Sequence, residues 1–358
     1  MACVGNVLVV GGGVAGLTAA AAIAQRGMAC ELVEVAGEPI GAAIMIYGRA
    51  LDALESIGVR KACAAEGTPD PLRGLRQIGP GMPAIGLYRP VLSRILRERA
   101  EAMGARLRMG IGVKDLCEVG DQVEARFSDG SVRRYDLVVG SDGIRSTVRP
   151  LIFGDDVQPT YTGQCNVRWM TPGAPIPNLG TTYFAPWGKL LTYPLPQNLI
   201  YAITVFARDT PTHVDQDTAR GVVREQLDAF AESEIRALRD RITNDTAMIY
   251  RPFEWLMVPG RWHRGRVVLI GDAAHATTAH MSSGGGMAIE DGVVLGEELA
   301  SATSLPKALD AFMRRRLERV RLVVETSVAM SKMEADGVDP KAIMAHSRPA
   351  FAALATAY

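Results

Sequence analysis

The chain has 358 residues, of which 48% are hydrophobic, with 39 Lys plus Arg against 39 Asp plus Glu. That length and apolar content can bury a large core in two lobes, and the balanced charge leaves no basic excess for nucleic acid and no acidic tail, so a small-molecule partner is expected. Cys3, Cys30, Cys63, Cys117 and Cys165 are scattered, odd in number and without a C-x-x-C pair, which argues against a zinc site or a disulfide framework and for a reducing cytoplasm.

The chain opens on "NVLVVGGGVAGLTAAAAIAQRGMACELVEV". The run at 7–10 predicts a buried strand, the glycines at 11–16 a tight turn, and the Ala-rich stretch up to Gln25 a helix. A second apolar run carries Glu34 about twenty residues beyond the glycines, where a dinucleotide fold places the acid that grips ribose hydroxyls. Gly11 allows the sharp turn, Gly13 lets the main chain approach a pyrophosphate without a Cβ in the way, and Gly16 lets the helix pack on the strand. The helix N-terminus offers unpaired N–H groups to the phosphates. The segment carries no charge before Arg26, yet it lacks the positive region of a signal peptide and its glycines break the apolar run, so neither a leader nor a membrane span is expected.

Further on, Gly41-Ala42-Ala43-Ile44 reads as a small-residue loop that lets something flat approach the backbone, and Leu51, Leu54 and Ile57 mark a helix over 49–57. The Gly- and Pro-rich residues 70–87 predict short strands and turns. Val91, Leu92, Ile95, Leu96 and Met103 place a helix ending near Gly104, and short strands fill 106–134 with a hairpin at Asp129-Gly130. "YDLVVGSDGIRSTVR" repeats the opening grammar of strand, glycine turn and helix. Over 159–206, aromatic and β-branched runs broken by Pro and Gly predict an antiparallel sheet. Helices over 217–230 and 234–242 follow, then a strand pair in "AMIYRPFEWLMV". The stretch "GRVVLIGDAAHATTAHMSSGGGMAIEDGVVLGEELA" returns to a strand (267–270), a Gly271-Asp272 turn, a loop and a helix over 285–300. A long final helix over 305–332 carries "RRRLERVR", expected on a solvated face because Leu317, Val320, Val324 and Val328 supply a buried stripe.

Three segments in this order, "GGGVAG" with Glu34, "GSDGIRSTVR" and "GDAAHATTAHMSSGGGMAIED", resemble the single-component, FAD-dependent aromatic hydroxylases of the para-hydroxybenzoate hydroxylase and salicylate hydroxylase type. The likeness runs over residues 7–324. It implies an α/β fold in which a Rossmann-like FAD-binding domain (1–70, 89–158 and 260–302) is interleaved with an antiparallel β-sheet substrate domain (71–88 and 159–259), followed by a C-terminal helical segment (303–358). With a single dinucleotide fingerprint, NADH or NADPH is implied to bind only transiently. By the same resemblance Gly11, Gly13, Val14, Ala15 and Gly16 line the FAD pyrophosphate, Glu34 the adenosine ribose, and Ala43 lies in the small-residue loop beside the cofactor. Arg89, opening an Arg-x-x-Leu stretch, contacts the ribityl-phosphate region, and Asp142 and Gly143 belong to a motif tied to both FAD and the pyridine nucleotide. Asp272 bonds the ribityl chain, while Gly284, Gly285, Gly286 and Met287 lie against the isoalloxazine. A strand-end Asp without a partner is costly, and a ribityl hydroxyl would satisfy it. The sequence departs from the family at Ala279, where members usually carry Pro, and at Gly48-Arg49 after Tyr47, where many carry Pro-Asn.

The reaction implied starts with reduction of FAD by NAD(P)H and capture of O2 as a flavin hydroperoxide that hydroxylates an electron-rich ring, so the protein must supply a dry pocket, orientation and a proton route. Candidate catalytic or pocket residues are Tyr47, Arg168, Tyr193, Tyr201 and His280. Strand alternation lets one of Arg168 and Trp169, and one of Tyr183 and Phe184, point inward. Arg168 would anchor a carboxylate through paired hydrogen bonds, and a neutral His280 would pass a proton. His275 is expected to support its loop, and His213 and His263 to be exposed. There is no G-x-S-x-G elbow for a nucleophile and no metal-ligand spacing. The expectation is a cytoplasmic monomer or homodimer acting on a small aromatic or heteroaromatic substrate, without nucleic acid or stable membrane association. A flavin oxidoreductase of the same fold that inserts no oxygen, and a non-catalytic flavin-binding redox sensor, are the alternatives.

Overall fold

The computed structural model describes residues 2–37, 42–69 and 82–358. The chain begins with β1 (Asn6–Val10), α1 (Val14–Gln25), β2 (Ala29–Glu34), β3 (Ala43–Tyr47), α2 (Arg49–Ser56), α3 (Arg60–Glu66), β4 (Thr68–Pro69), β5 (Ala84–Tyr88) and α4 (Arg89–Ala102). It continues with β6 (Arg106–Met109), β7 (Val113–Val119), β8 (Gln122–Phe127), β9 (Val132–Tyr135), β10 (Leu137–Gly140), α5 (Val148–Phe153), β11 (Thr160–Pro172), β12 (Thr182–Ala185), β13 (Gly188–Leu195) and β14 (Leu199–Ala207). The remainder is α6 (Gln216–Asp228), α7 (Ser233–Asp240), β15 (Ile249–Trp255), β16 (His263–Arg264), β17 (Val267–Leu269), α8 (Asp272–His275), a single 3-10 turn at Ala279–Met281, α9 (Gly284–Ser301), α10 (Leu305–Ala335) and α11 (Pro340–Leu354).

Six strands form one sheet in the order β16-β17-β10-β1-β2-β6, parallel except at the β16 edge. Val7, Leu8 and Val9 of β1 are fully buried at its centre. Strands covered on both faces read as continuous apolar runs rather than alternating ones, which is why this sheet announces itself in the sequence. The order also fixes the site. β1, β10 and β17 are neighbours running the same way, so the turns that follow them emerge side by side at one edge, the usual place for a ligand in an open parallel sheet.

The second sheet has five antiparallel strands in the order β12-β13-β14-β11-β15. Alternation sorts its side chains. Cys165, Val167 and Trp169 of β11 pack with Val223, Leu227, Ile235 and Leu238 of α6 and α7, whereas Tyr201, Ile203 and Val205 of β14 and Phe253 of β15 cluster with Ala42 ahead of β3. The second face therefore looks back toward the parallel-sheet lobe.

Several local expectations change. Residues 70–81 lie outside the described residues, and so does Gly41. Ala43 and Ile44 are not loop but the start of β3, which pairs with β5, so β5 joins β3 rather than the five-stranded sheet. "AMIYRPFEWLMV" contributes one strand, β15, because both flanks bond elsewhere, Met248 N–H donating to Gln216 Oε1 at 2.7 Å, Leu256 N–H to Ala276 O and Val258 N–H to Ala274 O. The long α10 is not the last helix: Asp339 caps a further one, α11, by accepting from Lys341 N–H at 2.8 Å. The basic run of α10 is not simply solvated, since Arg316 is 0% exposed. Of its expected apolar stripe, Val320 and Val324 are buried and Leu317 and Val328 half-buried.

Candidate active site

The first two glycine turns touch. Gly11 has φ +108°, and a Cβ there would stand 2.5 Å from Ser141 O; one on Gly16 would stand 1.9 Å from Gly11 O. Only glycine fits either place. The Ser141 hydroxyl lies 2.9 Å from Val10 O and 3.1 Å from Gly11 O, lacing the second turn to the first. The third is tied in by Arg149, a buried guanidinium that donates to the carbonyls of Ile144 at 2.9 Å, Val157 at 3.1 Å and Ala273 at 3.1 Å.

Gly13 is different. A Cβ there would meet nothing within 4 Å, and Gly13 precedes an α1 N-terminus that no side chain caps, leaving its first N–H groups free for an anion. Beside it the Glu34 carboxylate accepts from the N–H groups of Gly12 and Ala36, both at 2.6 Å.

The two strand-end aspartates have opposite surroundings. Asp142 accepts from Ser146 Oγ at 2.6 Å, Thr147 N at 2.7 Å, Thr147 Oγ1 at 2.9 Å and Val148 N at 3.1 Å, so its carboxylate ties down the start of α5. Gly143 beyond it has φ +81° and open space around it. The Asp272 carboxylate has no hydrogen-bond partner among the described residues, and neither does the Arg89 guanidinium. Both side chains are open to solvent, yet desolvation is the largest influence on each, raising the Asp272 carboxyl and lowering Arg89. Groups that touch water and are nonetheless crowded by protein lie on the floor of a cleft. There His275 and Arg89 pull Asp272 down in part and Asp291 pushes it up, while Arg168 disfavours the charge on Arg89.

The five-stranded sheet supplies the facing wall. Arg168 pairs across β11 with Ile203 and Ile249, and its Nε is buried without a partner. Tyr193 pairs with Tyr201, their ring centroids 4.7 Å apart. Burial raises both phenols, Tyr193 well above the ordinary value, against the pull of Arg168 and Arg89. Alternation is thus resolved: Arg168 takes the cleft-side face and Trp169 the opposite one, and Tyr183 joins Trp169's side, against Phe230, while Phe184 stays exposed on the other.

Other expected residues support the site from behind. Tyr47 is 6% exposed; its hydroxyl donates to Met281 O at 2.8 Å and bonds Ser283 Oγ, and burial pushes the phenol beyond its usual range. Gly285 and Gly286 press the start of α9 onto Ile44 of β3 and Ala50 of α2, at 2.5 and 3.2 Å from a would-be Cβ. Gly284 stands at the head of α9, whose first N–H groups no side chain caps, and Met287 is buried with its sulfur 3.6 Å from Arg316. Ala43 is half-buried at the head of β3. Val14 and Ala15 open α1, and Ala15 touches the Gly271 turn.

His280 meets Phe253 edge to face, with ring centroids 5.3 Å apart. His280 Nδ1 lies 3.0 Å from Thr278 Oγ1, which in turn stands 2.8 Å from Ser327 Oγ and 3.0 Å from Ser327 O, while Ser327 Oγ donates to Thr278 O at 2.8 Å. Nε2 is 3.8 Å from Glu334 Oε2, ion-pair range but too long for a hydrogen bond. Burial lowers the imidazole's pKa more than Glu334 raises it. Burial pushes Glu334 up, but His280 and Lys189 overcome it and bring it to about 2. His213 is exposed and His263 half-buried. Sequence reasoning missed Phe253, Lys189, Glu334 and Asp291, because nothing in their local spacing distinguishes them from ordinary surface or core positions.

Among the described residues no group of three His, Cys, Asp or Glu side chains is placed to hold a metal ion, and no helix is long and apolar enough to cross a membrane. The free donors at Gly13, the unpartnered Asp272 and Arg89 and the open glycine edge form a cradle for a phosphate-linked polyhydroxyl chain, which FAD possesses. The family described as "FAD binding domain" matches residues 5–327. FAD-dependent urate hydroxylase of Klebsiella pneumoniae is 30% identical over 345 residues, covering 88% of this chain and 87% of that one. Salicylate hydroxylase of Pseudomonas putida is 28% identical over 375 residues, covering 92% and 85%. Among solved structures, Klebsiella pneumoniae HpxO complexed with FAD and uric acid superposes with a TM-score of 0.81 over 98% of this chain and 97% of that one at 23% identity, a likeness of fold.

Proposed function

The chain belongs to the FAD binding domain family and is an FAD-dependent monooxygenase of the aromatic-hydroxylase type, and from that premise we propose that it uses NAD(P)H and O2 to hydroxylate a small aromatic or heteroaromatic substrate bearing an anionic group. One oxygen atom enters the ring, the other leaves as water, and NAD(P)H supplies the two electrons. FAD, when bound, provides the oxygen activation.

The observation that carries the substrate class is Arg168. It stands on the cleft-side face of the sheet with Nε unpartnered, no carboxylate among the described residues bonds it, and its charged neighbour across the cleft is another cation, Arg89. With Arg89 given to the FAD phosphate, the Arg168 guanidinium favours a substrate that brings its own negative charge. Tyr193 and Tyr201, kept protonated by burial, offer hydroxyls to the ring's substituents. The leucines, isoleucine and valine around them exclude water. His280, kept neutral by burial, relays a proton at the Phe253 end of the same wall. Asp272 and Arg89 hold the ribityl and phosphate parts of FAD, and the α1 N-terminus its pyrophosphate.

The test is NADH and NADPH oxidation with oxygen uptake across hydroxybenzoates, aminobenzoates, pyridine carboxylates and their uncharged amides, with product mass read alongside. Acids stimulate turnover and gain one oxygen atom, and Arg168→Ala raises their KM about tenfold or more while leaving the amides unchanged. Equal stimulation by acids and amides contradicts the anionic class, and NAD(P)H consumption without oxygen in the product contradicts the monooxygenase reaction.

A further inference from the structure

Behind the Asp272 turn lies a buried chain of charges that catalysis has no need to touch. Asp291 on α9 accepts from Gly271 N–H at 2.9 Å and bonds His275 Nε2 at 2.6 Å, so it holds both ends of the turn bearing Asp272. Arg316 on α10 donates Nε to Asp291 at 2.8 Å and a terminal nitrogen to Glu290 at 2.6 Å. Arg319, one turn further on, donates to the same Glu290 at 2.7 and 3.0 Å. Its remaining donors reach the end of α11, at Ala353 O (2.9 Å), Leu354 O (3.0 Å) and Thr356 O (3.3 Å). A cation at a helix C-terminus is favourably placed for the dipole as well as for the free carbonyls.

A second route leaves α11 for the other loop of the site. Phe351 packs on Tyr47 with ring centroids 6.0 Å apart, and the Tyr47 hydroxyl holds Met281 O and Ser283 Oγ, immediately before the Gly284 end of α9. Arg49 also donates to Ala355 O at 2.9 Å. One helix thus underpins both the turn carrying Asp272 and the loop leading into α9. Buried ion pairs are weak devices for stability alone, since apolar residues of similar size serve as well. Two arginines and two carboxylates with 0–9% side-chain exposure need another reason.

We propose that Arg316 and Arg319 are positioning residues that couple the docking of α11 to the binding of FAD, so that a seated α11 presets the Asp272 turn and bound FAD in turn tightens α11. The coupling is reciprocal by linkage, and it rests on FAD occupying the Asp272 turn.

Amide hydrogen exchange of the whole wild-type chain with and without FAD tests it, together with FAD affinity by flavin fluorescence in Arg319→Met and Phe351→Ala. FAD is expected to slow exchange at residues 271–275 and also at 343–354. Both variants bind FAD about tenfold more weakly, and in them the protection of 343–354 by FAD is lost. Protection at 271–275 with no change at 343–354 overturns the coupling while leaving the FAD site in place. Protection at neither segment overturns both. If a variant fails to fold, the wild-type exchange comparison decides alone.

Discussion

Asp142 and Asp272 follow neighbouring parallel strands, β10 and β17, in turns that the sequence writes almost alike, yet the two carboxylates do opposite things. Asp142 turns both carboxylate oxygens to its own helix start, with four bonds of 2.6–3.1 Å. Asp272 has none among the described residues and stands in the cleft. A motif's acid is therefore not a ligand contact because it is an acid; what separates the two is whether the protein already satisfies it. Asp142 belongs to the second motif through the backbone it shapes, including the open Gly143, and Asp272 belongs to the third through its side chain.

Exchanging each for alanine sharpens the contrast. Asp272→Ala is expected to weaken FAD binding most, by about tenfold to a hundredfold for lost charge-assisted hydrogen bonds, while thermal stability of the FAD-free protein holds or rises because a desolvated carboxylate is gone. Retention of stoichiometric FAD by this variant breaks the comparison. A different carboxylate gives the next effect. The folded-state pKa of Glu334 is depressed from 4.5 to about 2, so its contribution is present above the unfolded value and lost as pH falls from there through the folded one. Urea titrations from pH 6 to pH 2 are expected to show a loss on the order of 3 kcal/mol that Glu334→Gln abolishes. Asp142→Ala is expected to cost about 1–2 kcal/mol as a lost helix cap, read as a lower urea midpoint; a larger effect on FAD affinity than on stability would make it a ligand contact after all. On ligand binding the smallest effect is that of Trp169→Phe on the far face of β11, which leaves substrate KM unchanged while costing roughly 1–3 kcal/mol of stability through a partly refilled core.

The parallel sheet, the three turns and the antiparallel sheet were readable because continuous apolar runs, glycine spacing and alternation are local signals. Which side of β11 faces the cleft was not, since alternation sets two faces without saying which one α6 and α7 will cover. Asp142 and Asp272 looked alike for a related reason: the partners are a following helix start in one case and, among the described residues, none in the other. Arg316 was expected in water because its acceptors, Glu290 and Asp291, lie 26 and 25 residues away on another helix, and no periodicity within α10 points to them. Tyr47, expected as a catalytic or pocket residue, ends β3, and pairing with β5 fixes its ring beneath the loop that leads into α9.

The central claim is that three turns converge on one FAD, with Gly13 at the phosphate edge. Gly13 has extended backbone, φ −75° and ψ −176°, and a Cβ there meets no protein atom within 4 Å. Gly13→Ala thus leaves the fold untouched and obstructs only what approaches from outside. In an FAD titration followed by flavin fluorescence, with the unfolding midpoint measured in parallel, the variant is expected to keep wild-type stability and bind FAD at least about tenfold more weakly. Wild-type affinity in this variant would contradict the account.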